Sequence, residues 1–253
     1  MTVTIDLRGR VALVTGGSRG LGLEMARAFA RAGAHVVVAS RKAETCVAAA
    51  EEITAETGVK ALGVGAHVGE WDGCGALLDA AYDEFGRLDV LVNNAGIAPL
   101  YDSLEAVSEA LFDKVFDVNL KGPFRLSTLA APRMVDGGGG SIINISSIAS
   151  VRPKATDLVY AAAKAGLNTL THGLAQAYGP TVRCNTIMAG PFLTEISEAW
   201  YTPEWRERAK AFPLGRAGEP NEIIGAALYF GSDLSSFTTG TVLPVDGGRT
   251  SMP

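Results

Sequence analysis

The sequence predicts an α/β fold in a single domain, a doubly wound parallel sheet of about seven strands with helices on both faces. Three observations predict it. Short β-branched runs alternate with longer Ala-rich stretches, the order expected of βαβ units. The short runs are continuously apolar rather than alternating, as burial on both faces of a parallel sheet requires. A glycine-rich turn, Thr15-Gly16-Gly17-Ser18-Arg19-Gly20-Leu21-Gly22, joins the first run to the first helical stretch.

Strands are expected at Val11–Thr15, His35–Ala39, Val59–Val64, Asp89–Val92, Ser141–Ser146, Val182–Met188 and Val242–Val245. Helices are expected over 20–32, 42–57, 72–85, 104–132, 158–178 and 219–231, bounded by Gly, Pro or Asn. Gly137–Gly140 reads as a helix-to-strand loop because another strand follows at once, so residues 1–253 form one domain. The stretch Glu195–Pro213, with Trp200, Tyr201, Trp205 and Phe212, interrupts the rhythm after the sixth strand and reads as a substrate lid.

Composition excludes several function classes. Hydrophobic residues make up 47% and charged residues 19%, an ordinary balance for a sizeable core. A formal net charge of -5 leaves no overall positive field for nucleic acid or anionic lipid. Cys46, Cys74 and Cys184 form no CxxC pair, so neither a disulfide framework nor a metal site is indicated, and a reducing compartment fits. Met1–Arg10 carries charges before any apolar run, unlike a signal peptide, and no apolar stretch approaches the roughly 20 residues that span a bilayer. A cytoplasmic protein without membrane contact is expected.

The glycine-rich turn sits where backbone amides and a helix dipole favour a pyrophosphate. Gly16 can make the turn, Gly20 can admit a ligand close to the backbone, and Gly22 can let helix and strand approach tightly. The spacing is G-x3-G-x-G, not GxGxxG. At the end of the second run, where NAD fingerprints place Asp or Glu, this chain has Ser40-Arg41. A carboxylate there would repel a 2′-phosphate, whereas Arg41 can pair with it and Ser40 can add a donor, so NADP(H) is preferred over NAD(H).

Tyr160 and Lys164 are four residues apart in an Ala-rich helix and share one face. A free tyrosine, with a pKa of ~10, is a poor acid or base at neutral pH, and a nearby ammonium would stabilise its anion. Such a pair alone is common on helix surfaces. Its context is what makes it specific.

With Asn93-Asn94-Ala95-Gly96 after the fourth run, these motifs make the chain resemble the short-chain dehydrogenase/reductase family across nearly its full length. Members resembling it include NADP(H)-dependent 3-oxoacyl carrier-protein reductases and gluconate or glucose dehydrogenases. The resemblance implies a Rossmann-type fold and a cofactor held by Gly16, Ser18, Arg19, Gly20, Leu21, Gly22, Ser40, Arg41, Val68, Asn94, Ala95, Gly96, Tyr160 and Lys164. It implies that Arg19 and Arg41 serve the 2′-phosphate, as in NADP-preferring members. Phe192 and Thr194 are implied near the nicotinamide carboxamide, although Ala189 replaces the proline that relatives often carry. His67-Val68 stands where relatives commonly have Asp-Val. His67 either accepts a hydrogen bond from the adenine amino group or is a loop histidine without a ligand.

The resemblance implies that Ser147, 13 residues before Tyr160, binds the substrate carbonyl, with neighbouring Ser146 as a competitor. It also implies that Lys164 holds the nicotinamide ribose and that Asn119 holds a water linking the lysine to solvent. The catalytic residues expected are therefore Asn119, Ser147, Tyr160 and Lys164, with hydride transfer from NADPH to a carbonyl carbon while Tyr160 donates a proton. Reduction of a 3-oxoacyl thioester and turnover of a sugar or polyol are the competing readings, the first favoured by Arg41. A carrier protein would need a basic patch at the active-site mouth, from Arg125, Arg133 and Lys154. A non-catalytic NADP(H) sensor is the reading from another class. By resemblance the chain assembles as a homotetramer, with a homodimer as the alternative, partly through the helices near 104–132 and 158–178.

Overall fold

The computed structural model describes residues 4–195, 197 and 201–252, so Trp200 of the expected lid lies outside the described residues. The strands are β1 (Val11–Thr15), β2 (His35–Ser40), β3 (Ala61–Gly65), β4 (Val90–Asn93), β5 (Gly140–Ser147), β6 (Val182–Ala189) and β7 (Val242–Val245). They form one seven-stranded sheet in the order β3-β2-β1-β4-β5-β6-β7. Every pairing is parallel. The helices are α1 (Gly20–Arg31), α2 (Ala43–Thr57), α3 (Gly73–Phe85), α4 (Glu109–Phe116), α5 (Gly122–Asp136), α6 (Leu158–Tyr178), α7 (Pro203–Ala209) and α8 (Ile224–Gly231).

Period-two alternation along β1 separates two cores. Ala12 and Val14 face Met25 and Phe29 of α1 and Phe230 of α8. Val11 and Leu13 face Leu77 and Leu78 of α3 and Leu126 and Met134 of α5. Burial on both faces explains the unbroken apolar runs in the sequence. The strand order reverses between β1 and β4, and in such sheets ligands bind at that crevice, beyond the carboxyl ends of the strands.

Four elements depart from expectation; one is the helix expected over 219–231, which opens as a 3-10 turn over Pro220–Ile223 and becomes α8 only at Ile224. β3 starts at Ala61 rather than Val59, because Gly58 ends α2 in the left-handed conformation and Val59 and Lys60 are needed to bring the chain back to the sheet edge. The helix expected over 104–132 begins at Glu109, where the Ser108 hydroxyl caps the Leu111 amide at 3.2 Å, and it continues to Asp136. It is interrupted by a π-helical turn over Asp117–Lys121. Within 195–213 lies an unforeseen helix, α7, started by Thr202, whose hydroxyl accepts from the Trp205 amide at 3.2 Å, and by Pro203 in the first turn. Among the described residues, no helix is long and apolar enough to cross a membrane.

Candidate active site

The turn after β1 is built by contacts that leave no room for side chains. Gly16 has φ +63° and Gly20 φ +55°, backbone that favours glycine. A Cβ on Gly22 would stand 2.2 Å from the Gly16 carbonyl oxygen, so α1 and the turn meet backbone to backbone. Asn94 braces this turn: its side-chain amide donates to the carbonyls of Thr15 and Gly16 at 2.9 and 3.1 Å. Thr15, which the sequence reading passed over, accepts from the amides of Asn94 and Ala95 at 3.0 and 3.1 Å. Thr15 and Asn94 therefore hold the ends of β1 and β4 together at the crevice. No side chain caps the first amides of α1, and its first turn has no acidic residue.

Four consecutive residues of β5 each engage α6. The Asn144 amide donates to the Thr171 hydroxyl at 2.8 Å, the Lys164 ammonium donates to the Ile145 carbonyl at 2.7 Å, and the Ser146 hydroxyl donates to the Lys164 carbonyl at 3.2 Å. The Ser147 hydroxyl stands beside the Tyr160 phenol, close enough to lower its pKa, while it accepts from the Ala149 amide at 3.2 Å. The alternation of β5 gives the two serines different surroundings: Ser146 is buried and tied to the helix backbone, while Ser147 is half-buried beside Tyr160.

Burial pushes the Tyr160 phenol above its ordinary value, more than the Ser147 hydroxyl lowers it, and the Asp157 charge adds to the rise. The nearby ammonium was expected to have the opposite effect. It lies 5.7 Å from the Tyr160 ring centre and turns toward the Ile145 carbonyl instead. Lys164 is itself buried, and desolvation brings it down to about 8 from 10.5. An unfolded chain keeps this proton until about 10.5, so between these pH values the unfolded state binds more protons and raising the pH favours folding. Wild-type protein is therefore expected to gain stability relative to Lys164→Met between about pH 8 and 10.5, measured by denaturant unfolding across that window. A difference constant with pH would contradict it.

Asn119 lies in the π turn and is fully buried. Its side-chain amide donates to the carbonyls of Val115 and Ile97, both at 2.9 Å, and its oxygen accepts from the Ile97 amide at 3.3 Å. The Val115 carbonyl, one turn earlier, thus receives a side-chain amide. A Cβ on Gly96 would meet the Asn119 oxygen at 2.8 Å and the Lys164 ammonium at 3.5 Å, which places the three side by side. π turns recur at functional sites in this way.

At the end of β2, the Ser18 hydroxyl donates to Ser40 at 3.0 Å. Arg19 and Arg41 are exposed, with no ion pair to any described residue. His67 Nδ1 accepts from the Gly69 amide at 3.2 Å, so the neutral ring carries its hydrogen on Nε2. The free nitrogen is a donor, which corrects the acceptor role expected toward an adenine amino group. Val68 is buried beside it.

Past β6, the Gly190 amide donates to the Val245 carbonyl at 2.9 Å, and the buried Phe192 ring packs on Gly218. Thr194 and Ser197 close a hydroxyl turn, and with Gly20, Leu23, Glu195 and Tyr201 they line a cleft of about 500 Å³ over the start of α1. The three basic residues considered for a docking patch do not converge. Arg133 pairs with Asp79 at 2.8 Å and lies over the Tyr82 ring, near the ends of α3 and α5 and so on the side away from the strands' carboxyl ends. Arg125 lies over the Trp71 ring at 4.5 Å.

A family model described as enoyl-(acyl carrier protein) reductase matches residues 16–250. L-rhamnose 1-dehydrogenase (NAD(P)(+)) of Azotobacter vinelandii is 40% identical over 94% of this chain and 96% of its own. The chain belongs to the short-chain dehydrogenase/reductase family. A 3-oxoacyl-[acyl-carrier-protein] reductase of Chlamydia muridarum is 37% identical over 96% of this chain and 98% of its own. The solved NADPH-dependent 3-quinuclidinone reductase of Rhodotorula rubra superposes with a TM-score of 0.91 at 29% identity, over 98% of this chain and 94% of the other. This member of the family is a nicotinamide-dependent oxidoreductase with the seven-stranded Rossmann-type sheet that the family carries.

Proposed function

We propose that the protein transfers hydride between NADP(H) and a small polyhydroxylated alcohol, of sugar or polyol type, or the carbonyl compound it becomes. The observation that carries the reaction is the Ser147 hydroxyl placed beside the Tyr160 phenol, one helical turn before buried Lys164. Two hydroxyls converging there can hold one carbonyl or alcohol oxygen, which suits a C–O centre better than the carbon–carbon double bond of an enoyl substrate. NADPH, when bound, supplies the hydride. Tyr160, kept protonated by burial, gives its proton to the substrate oxygen, and Ser147 stabilises the charge developing there. Lys164 holds the ribose, and Asn119 keeps the Gly96 loop and the π turn in place around it.

The chain's own residues fit the cofactor. The uncapped start of α1 and the glycine cradle, which Cβ atoms would fill, suit a pyrophosphate. Unpaired Arg19 and Arg41 suit a 2′-phosphate, and the His67 Nε2 donor suits an adenine ring nitrogen. Arg41→Ala is expected to weaken NADPH binding by about tenfold to a hundredfold while barely changing NADH binding. Direct titration with both cofactors checks this, and an unchanged ratio would remove the assignment.

The sugar or polyol reading is preferred to the 3-oxoacyl one because Arg125 packs on Trp71 and Arg133 pairs with Asp79 of α3, so the two arginines considered for a carrier-protein patch are held elsewhere. The rhamnose dehydrogenase, at 40% identity, supports it. Purified protein should be screened by nicotinamide absorbance with NADP+ against sugars and polyols and with NADPH against 3-oxoacyl esters. Turnover confined to the esters would reverse the choice, and tight NADPH binding without turnover in either arm would replace it with the sensor reading. Exposed Phe112, Phe124 and Leu158 near α4, α5 and α6 support a homotetramer, which light scattering would test against a dimer.

A further inference from the structure

The Ser40 hydroxyl sits between a hydroxyl and a thiol. Ser18 Oγ donates to it at 3.0 Å on one side, and on the other Cys46 Sγ lies 3.0 Å from Ser40 Oγ and 3.7 Å from the Ser40 carbonyl oxygen. Cys46 is in the first turn of α2 and fully buried, out of reach of any cofactor. It acts through Ser40 or not at all.

Counting hydrogens separates two arrangements. Ser40 Oγ has one hydrogen and two acceptor positions, one of which the Ser18 hydrogen occupies. If the thiol donates, the second position is filled and the Ser40 hydrogen is free to point outward. If the thiol gives its one hydrogen to the Ser40 carbonyl, 3.7 Å away, and accepts from the Ser40 hydroxyl, the Ser40 hydrogen turns inward and a lone pair faces the cofactor. The oxygens of a 2′-phosphate dianion only accept, so they need the first arrangement, whereas a ribose 2′-hydroxyl can give or take a hydrogen and is served by either. Thiol sulfur is a far weaker acceptor than a phosphate oxygen, so the first arrangement also wins once the phosphate is present.

We propose that Cys46 is a positioning residue for cofactor choice: its thiol donates to Ser40 and holds the Ser40 hydroxyl as a donor toward the 2′-phosphate. This rests on the NADP(H) preference proposed above. The test is fluorescence titration of wild type, Cys46→Ala, Cys46→Val and Cys46→Ser with NADPH and, separately, NADH. Ala and Val are expected to raise the Kd for NADPH about threefold to tenfold and to leave that for NADH nearly unchanged, while Ser, which keeps a donor, restores the wild-type ratio. Val retains most of the side-chain volume, so it reports on the lost donor even if the cavity left by Ala unsettles the core. Equal weakening of both cofactors, or an unchanged ratio in Ala and Val, overturns the role of Cys46 alone. A wild type without preference for NADPH overturns the cofactor reading, and Cys46 with it.

Discussion

Tyr160→Phe is expected to bind NADPH with unchanged Kd and to lose turnover by about a hundredfold to ten-thousandfold, the range a positioned proton donor contributes. The substitution removes one oxygen from a half-buried ring whose contact with Lys164 is otherwise kept. That oxygen is also the group beside Ser147, so the variant changes what Ser147 faces rather than moving the helix. Burial holds the phenol in its protonated form, which is the form reduction requires, and in the reverse direction the rate should climb with pH as the proton is lost. Kinetics on the best substrate of the screen, beside a cofactor titration, separates chemistry from binding. Retained turnover would end the assignment of Tyr160 as proton donor.

Gly22→Ala carries the second large effect. A methyl there would stand 2.2 Å from the Gly16 carbonyl oxygen and 2.5 Å from the Asn94 amide nitrogen. Neither can yield freely, because the Asn94 amide is bonded to the consecutive carbonyls of Thr15 and Gly16. The turn must open, and with it the α1 amides proposed for the pyrophosphate. NADPH Kd should rise more than about tenfold, and overpacking of about 1–3 kcal/mol should lower Tm by roughly 3–10 °C. Gly75→Ala in α3, where a Cβ meets nothing within 4 Å, is the control and should be neutral or stabilising. Equal behaviour of the two variants would show that helix propensity, not the backbone contact, decides the outcome.

Much of this was legible in the sequence because the decisive signals are local. β1 and β7 lie where the apolar runs place them, and the catalytic candidates sit in short motifs whose spacing survives folding. Partnerships between distant segments were not legible. Nothing near Asn94 or Asn119 in the sequence states that their amides hold the Thr15–Gly16 turn and the Ile97 loop. The π turn was hidden for a related reason: apolar periodicity runs through Asp117–Lys121, and the inserted residue shows only as a change in hydrogen-bond partners. α7 escaped because its seven residues, six of them polar, aromatic or proline, carry no apolar stripe, while its cap, Thr202, lies in a segment otherwise read by its aromatics. Cys46 was counted only as a thiol without a CxxC partner.

The stitching of β5 to α6 has a consequence for how new activities arise on this scaffold. Asn144, Ile145, Ser146 and Ser147 join the strand to the helix that carries Tyr160 and Lys164, and none of these contacts runs through residues 195–213. In the proposed function the reacting groups are therefore aligned by one module, and the segment proposed to choose the substrate belongs to another. Grafting a different 195–213 segment should change which alcohol is accepted while leaving the proton-transfer geometry intact, which makes that segment the natural place to begin redesign.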